Sequence, residues 1–247
     1  MKRNDLMGLK YDTFNRVETL KAISDSINQG VNHIYRSDIN VATFMMCEKN
    51  QLIKKYINEA DIINIDGMGM VFGCKFLGRD FIERIAGADL FIDLLELSEA
   101  QNFSVFFLGA TDEVVTLTAS KAIESYPNLD VAGFHDGYFS SHESSVVDKI
   151  NICKPDILFV GIKSPEKEMF ILNWKNSLNV KFIMGVGGTF DVYSGKLRRA
   201  PVWMQRIGME WFFRLMQEPK RMWRRYLVTN IHFLWILLVE KKRQLWG

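Results

Sequence analysis

The sequence predicts an α/β fold, a mostly parallel sheet flanked by helices, carrying a basic aromatic helical appendage at its C-terminal end. Three observations predict it. At 247 residues, 48% hydrophobic and 24% charged, the chain can bury a large core in one α/β domain plus an appendage. Short apolar runs alternate with helical periods through the first 195 residues, the pattern of a parallel sheet covered on both faces. Charge divides the chain: from Lys196 to Gly247 there are 12 Lys plus Arg against 3 acids, while the rest holds 19 against 26.

The elements follow in order. "HIYRSDINV" predicts a strand over 33–41, and the next seventeen residues, 43–59, carry a helical period. "DIINI", 61–65, is a second strand, and it ends on Asp66, Gly67 and Gly69. A helix over 87–101 leads to a strand over 103–108, and a helix over 111–125 to a strand over 129–134. Helices over 143–152 and 165–177 alternate with strands over 156–161 and 180–185. Apolar run length and period decide each assignment. No repeat or low-complexity segment interrupts the series, so residues 1–195 read as one Rossmann-like α/β domain and 196–247 as the appendage.

Composition narrows the compartment and chemistry. Cys47, Cys74 and Cys153 are isolated, so neither a disulfide framework nor a thiolate metal site is expected, and a reducing cytosol fits. The opening "MKRNDLMGLKYDTFNR" lacks the apolar core of a signal peptide. Gly67, Gly69 and Gly73 are spaced G-x-G-x-x-x-G, one residue too long for a dinucleotide fingerprint, and Asp66 beside them would repel a pyrophosphate. A nicotinamide-dependent oxidoreductase is therefore the weaker alternative. A nonenzymatic adaptor for membrane or nucleic acid would account for the tail but would have no use for polar residues at the strand ends.

In a parallel sheet those strand ends are where ligands bind. Asp66 follows its strand directly, and either caps the next helix or serves as a functional carboxylate. Gly67 and Gly69 allow backbone or ligand to come close. Further clusters stand at other strand ends: Gly109 and Thr111; His135, Asp136 and Gly137; Ser164 and Pro165; and Gly185, Gly187, Gly188, Thr189 and Asp191. The last of these exposes consecutive amides suited to phosphate, with a tight turn capped by Asp191 as the plain alternative.

The motifs "NIDGMGM", "ERIAGADLF", "FLGAT", "VAGFHDGYF", "SPEKE", "GVGGTFDVYSGKLRRAP" and "MEWFFRLMQEPKRMWRRY" resemble, in order, those of the WecG/TagA/CpsF glycosyltransferases, glycosyltransferase family 26. The likeness runs from about Asn40 to Tyr226. It implies a cytosolic, membrane-peripheral enzyme of bacterial surface polysaccharide or teichoic acid synthesis. Such an enzyme moves a hexose or N-acetylhexosamine-type sugar, for example N-acetylmannosamine or its uronic acid, from a UDP-sugar to a sugar on undecaprenyl diphosphate, inverting the anomeric centre without a metal or other cofactor. The resemblance places the general base at Asp66, a functional cation at Arg84 and a polar orienting group at Asn40; Thr43 just beyond it is a substrate-binding candidate, with capping of the next helix as the plain alternative. No D-x-D pair occurs, so protein cations are expected to neutralise the departing UDP. The family usually reads S-P-K-Q-E where this chain reads Ser164, Pro165, Glu166, Lys167, Glu168. A cation at the Gln position leaves three consequences open: a donor bearing a carboxylate, an added phosphate contact, or weakened activity.

The tail holds five of the six tryptophans among its basic residues, a composition suited to an anionic membrane surface. Its run "YLVTNIHFLWILLV" has 14 residues, short of the roughly 20 a spanning helix needs. A stripe of Phe212, Leu215, Met222 and Trp223 is expected to pack on the body, with Arg214, Arg221 and Arg224 projecting toward the diphosphates. No nucleic-acid partner is expected, and the sequence leaves homo-oligomerisation open.

Overall fold

The computed structural model of the protein describes residues 3–246, apart from the side chains of Arg206, Arg221, Met222, Arg224 and Arg225. The chain opens with a two-stranded antiparallel hairpin, β1 (Arg3–Leu6) and β2 (Leu9–Asp12), that the sequence pattern did not predict. Helix α1 (Arg16–Asn28) follows, started by a capping box in which Asn15 accepts from the Glu18 amide and Glu18 reaches back to the Asn15 amide.

The main sheet is built from β3 (Ile34–Ile39), β4 (Ile62–Ile65), β5 (Val105–Gly109), β6 (Val131–His135), β7 (Ile157–Gly161) and β8 (Phe182–Gly185). All six lie within two residues of the predicted strands. Their order is β4-β3-β8-β7-β5-β6, and every pairing is parallel. The predicted helix over 43–59 is two helices, α2 (Val41–Lys49) and α3 (Gln51–Glu59). Asn50 divides them because it ends one and caps the other, its side chain accepting from the amides of Leu52 and Ile53. Helices α5 (Gly87–Gln101), α6 (Asp112–Ser125) and α7 (Glu143–Cys153) match the prediction closely, whereas α8 (Glu166–Trp174) stops three residues early. Three helices of the body that the sequence did not predict are α1, α4 (Met68–Phe76), directly after the Asp66 turn, and α9 (Thr189–Tyr193).

Handedness sets the layers. Right-handed crossovers from β3 to β4 and from β6 through β7 to β8 run toward the same edge, so α2, α3, α7 and α8 share one face. The step from β5 to β6 runs the other way and puts α6 on the opposite face, with α1, α5 and α9. Every residue of β4, β5, β7 and β8 is buried, and truncating a central one such as Ile63 to Ala would cost about 2–5 kcal/mol. Neighbouring strands β3 and β8 send their following helices, α2 and α9, to opposite faces. The gap between these strand ends is the switch point where an open parallel sheet binds ligands.

The appendage comprises α10 (Val202–Arg206), α11 (Glu210–Gln217) and α12 (Pro219–Trp246). The expected docking stripe is corrected: Phe212 and Trp223 are exposed and Leu215 is only half-buried, while the Met222 side chain lies outside the described residues. The chain breaks between α11 and α12 at Glu218, so a period counted through 212–227 as one helix does not describe one face. Docking is done by Phe233 and Leu237 of α12, both buried, against α2 and α4, with the Phe233 ring edge-on to Phe44 at 5.3 Å. Among the described residues no helix is long and apolar enough to cross a membrane.

Candidate active site

Asp66 N–H donates to Ile39 O at 2.9 Å, extending the β3–β4 ladder one residue past the strand. Gly67 then turns the chain with φ of 104°, a conformation that favours glycine. Gly67, not Asp66, stands at the N-cap of α4, and it makes no side-chain cap bond. The Asp66 carboxylate points across to the next element, where Oδ2 accepts from Gly87 N–H at 3.2 Å. Helix capping of α4 therefore does not explain Asp66.

Beneath it lies a seam of charge on one sheet face. The two-residue period of the strands puts Arg36, Asp38, Asn64 and Asp66 on the same side. Arg36 is 1% exposed. Its Nε donates to Asn64 Oδ1 at 2.9 Å, Nη1 to Asp38 Oδ1 at 3.4 Å and Nη2 to Ile85 O at 3.4 Å. Burial, and then the Asp38 charge, push the Asp66 carboxyl up to about 6, against the opposing pull of Arg36, the Gly87 amide and Arg84. That value lets one carboxylate be ionised at neutral pH and still hold a proton when needed.

The neighbouring strand ends complete the floor. Asn40 caps α2: its Oδ1 accepts from Thr43 N–H at 3.0 Å, Thr43 Oγ1 accepts from Asn40 N–H at 2.7 Å, and Nδ2 donates to Asp38 Oδ2 at 3.1 Å. The cap is thus Asn40, with Thr43 as its reciprocal partner. From α8, Lys167 reaches the floor by passing over Gly185, where a Cβ would stand 2.7 Å from Lys167 Cδ. Lys167 Nζ lies 3.2 Å from Oε1 of the buried Glu168, which also accepts from Ser164 Oγ at 2.9 Å. Burial alone would lower the Lys167 ammonium, but the charges of Glu168 and Asp38 outweigh it and hold its pKa above the usual lysine value.

The opposite wall comes from the 84–88 segment and the appendage. Arg84 Nη1 sits 3.8 Å from Asp66 Oδ1 and 3.8 Å from Glu210 Oε2. Arg199 pairs with Asp89 at 2.6 Å and with Glu210 at 3.4 Å. Arg214 closes over the turn after β8, where a Cβ on Gly188 would stand 2.6 Å from its Nη2. Floor and wall enclose a cavity of about 870 Å³.

Of the residues singled out from sequence, Asn40, Thr43, Asp66, Gly67, Arg84, Ser164, Lys167, Gly187, Gly188 and Arg214 all line this cavity. Gly109, Asp136, Gly137 and Asp191 do not. The first three stand at the ends of β5 and β6, beyond β7, and Gly109 packs against Gly161, whose carbonyl carbon a Cβ would meet at 2.4 Å. Asp136 accepts from the Tyr138 amide at 2.7 Å. Arg221 and Arg224 have side chains outside the described residues. Sequence reasoning missed Arg36, Asp38, Glu168, Arg199 and Glu210. The signal for the first two was visible, since an Arg and an Asp two residues apart inside a strand must share one face. No group of three or more potential metal ligands occurs among the described residues.

Comparison with known proteins bears on this geometry. The family model described as "Glycosyl transferase WecG/TagA/CpsF family" matches residues 4–246. A Bacillus spizizenii protein is 37% identical over 179 residues, 72% of this chain and 69% of its own length. A Staphylococcus aureus protein is 31% identical over 242 residues, 98% and 94% of the two chains. Both are named N-acetylglucosaminyldiphosphoundecaprenol N-acetyl-beta-D-mannosaminyltransferase.

Proposed function

The chain belongs to the glycosyl transferase WecG/TagA/CpsF family, and from that premise we propose that it transfers a hexose or N-acetylhexosamine-type sugar from a UDP-sugar to a sugar borne on undecaprenyl diphosphate. The observation that carries the reading is the Asp66 carboxylate, raised to about 6 and lying in a cavity with a cationic wall. The acceptor hydroxyl gives its proton to Asp66 as its oxygen attacks the anomeric carbon. The bond from that carbon to the diphosphate breaks, and UDP leaves with the electron pair. One displacement inverts the centre, in keeping with the β linkage in the relatives' names if the donor is α-linked. Asn40 orients the reacting sugars beside Asp38. Arg84, Arg214 and the turn at Gly187 and Gly188 receive the charge that develops on the leaving diphosphate, so that no metal ion is required. Arg221 and Arg224, together with the outer rim at Gly109, Asp136 and Gly137 and with Asp191 on α9, are assigned to the nucleotide and diphosphates on the family motif alone.

The reading places the enzyme on the inner face of the bacterial membrane. Supporting it, α12 has an inner face that lines the cavity at Tyr226, Thr229, Asn230 and Phe233. Its outer face exposes Leu227, Ile231, Trp235 and Leu238, spaced by four, four and three residues. An apolar stripe flanked by Lys and Arg suits an anionic interface, and the acceptor is confined to that bilayer. The test is incubation of the full chain with a panel of UDP-sugars and a lipid-diphosphate acceptor, with excess EDTA and without it, products being identified by mass and anomeric configuration. Transfer with inversion that survives EDTA is expected. Absence of transfer from every UDP-sugar would defeat the activity, and loss in EDTA restored by Mg²⁺ would defeat the metal-free route.

A further inference from the structure

The Arg84 guanidinium stands between two acids. Its Nη1 is 3.8 Å from Asp66 Oδ1 and 3.8 Å from Glu210 Oε2, near enough for charge to act and beyond hydrogen-bond length to either. Glu210 is held in turn by its other oxygen. Arg199 Nε donates to Glu210 Oε1 at 3.4 Å, and Arg199 Nη2 lies 2.6 Å from Asp89 Oδ1 in the first turn of α5. The line of charge from Asp89 to Asp66 therefore passes through one residue of α11, its first. A steric contact fixes where that residue stands. Gly208, with φ of 76°, lies in the turn before α11, and a Cβ on it would collide with Met68 Cγ. Met68 opens α4 directly after Gly67, so the start of α11 rests on the same turn that carries the Asp66 carboxylate.

We propose that Glu210 is a positioning residue: from the first turn of α11 it draws Arg84 away from Asp66, so that the base is not closed into a direct ion pair before substrate arrives. The inference rests on the reading of Asp66 as the base of a UDP-sugar transfer. Take the Glu210 charge away, and the acid still paired with Arg84 among the described residues is Asp66. A planar guanidinium fits a carboxylate through two parallel N–H bonds. Closed in that way, Asp66 would hold its charge more firmly and accept a proton less readily. Its other neighbours belong to the body: Arg36 and Asp38 on β3, the Gly87 amide at the start of α5, and Lys167 of α8 beyond Asp38. Lys163, Arg198, Arg199 and Arg214 line the same cavity. Glu210 differs from all of these in reaching the base through Arg84, and α11 thereby sets the base as well as covering it.

The experiment is carbon-13 NMR of the full chain labelled at the aspartate carboxyl and titrated with acid and base, the Asp66 resonance being identified by its loss in Asp66→Asn, together with calorimetric titration with UDP. The wild-type carboxyl should titrate near 6. A direct Arg partner lowers an Asp by about 1–3 units. In Glu210→Gln, which is isosteric at a side chain 34% exposed, the Asp66 midpoint should therefore fall by about one unit or more while the urea midpoint stays in place. In an Arg84→Gln background the same change should move it little, because Glu210 acts through Arg84. Should Glu210→Gln not fold, Gly208→Ala decides: its Cβ drives α11 off Met68 with Glu210 intact, and should lower the midpoint in the same direction. If UDP binds and the midpoint is unmoved, or falls as far without Arg84 as with it, the inference is overturned while the UDP-sugar reading stands. If UDP itself does not bind, the reading fails and takes the inference with it.

Discussion

Replacing Asp66 by Asn separates what its charge does for catalysis from what it costs the fold. In the folded chain the carboxyl titrates near 6, against an ordinary 3.8, because burial and Asp38 oppose ionisation more than the Gly87 amide and the two arginines favour it. A folded pKa above the unfolded one means that folding favours the protonated form. That stabilisation is fully present below about pH 4, is lost as pH rises through 6, and is absent above it. At pH 7.5 the ionised carboxylate therefore costs the fold up to about 3 kcal/mol, at about 1.4 kcal/mol per pH unit. The figure is an upper bound because the side chain is 28% exposed. Asn keeps an oxygen for the Gly87 N–H, now 3.2 Å away, and carries no charge to desolvate. Asp66→Asn should therefore gain stability over the wild type at pH 7.5, lose that gain near pH 4, and transfer sugar about 10²–10⁴-fold more slowly. The wild-type kcat/KM should fall about tenfold per pH unit below 6, since the base must be ionised to accept a proton. Urea unfolding at both pH values, with transfer to a water-soluble acceptor analogue followed from pH 5 to 8, measures all three. Turnover within a few-fold of wild type, or equal destabilisation at both pH values, would refute the assignment.

Two further outcomes are expected. Arg214→Gln removes the guanidinium from the Gly188 turn while leaving a 31% exposed side chain in place; kcat/KM should drop about 10²–10³-fold with an unchanged urea midpoint, and UDP titration should show weaker binding. Replacing Ile231, Trp235 and Leu238 together by Ser strips apolar groups from the outer face of α12. At about 1 kcal/mol each for partial insertion, binding to anionic vesicles should fall about a hundredfold by cosedimentation, while transfer to a soluble acceptor analogue persists. Unchanged vesicle binding would dismiss that face as the anchor.

The sheet was legible because four of its strands, β4, β5, β7 and β8, are largely apolar runs buried on both sides, and so was the rim, because Gly and Asp after such runs stand out. Other elements were silent for physical reasons. "RNDL" and "LKYD" are too short and polar to show a strand period, yet they pair, and Leu6, Leu9 and Tyr11 are buried in the core beside β4. Helix α1 had a readable start in Asn15 and Glu18, a capping box that composition alone hides. Helix α4 was obscured because "MGMVFGCKF" carries two glycines and reads as a continuation of the strand before Asp66; only the φ of 104° at Gly67 separates the two. At the site, Asp66 and Arg84 were found through motifs. The supports Arg36, Asp38 and Glu168 act through contacts that join different strands and helices, which linear spacing does not display.

The contact between Gly185 and Lys167 ties the inheritance of two positions far apart in sequence. With Cδ, Cε and Nζ of Lys167 at 2.7, 2.9 and 3.2 Å from where a Cβ at 185 would stand, any side chain at 185 competes for the volume the lysine stem fills. A loop grafted after β8 from another glycosyl transferase succeeds here only if it brings glycine at 185, or if position 167 shrinks with it. A library randomised at 185 should return glycine alone in the native background, and admit Ala and Ser once Lys167→Ala has vacated the space. The two residues form one unit of variation, and this loop and helix α8 must be exchanged as a pair.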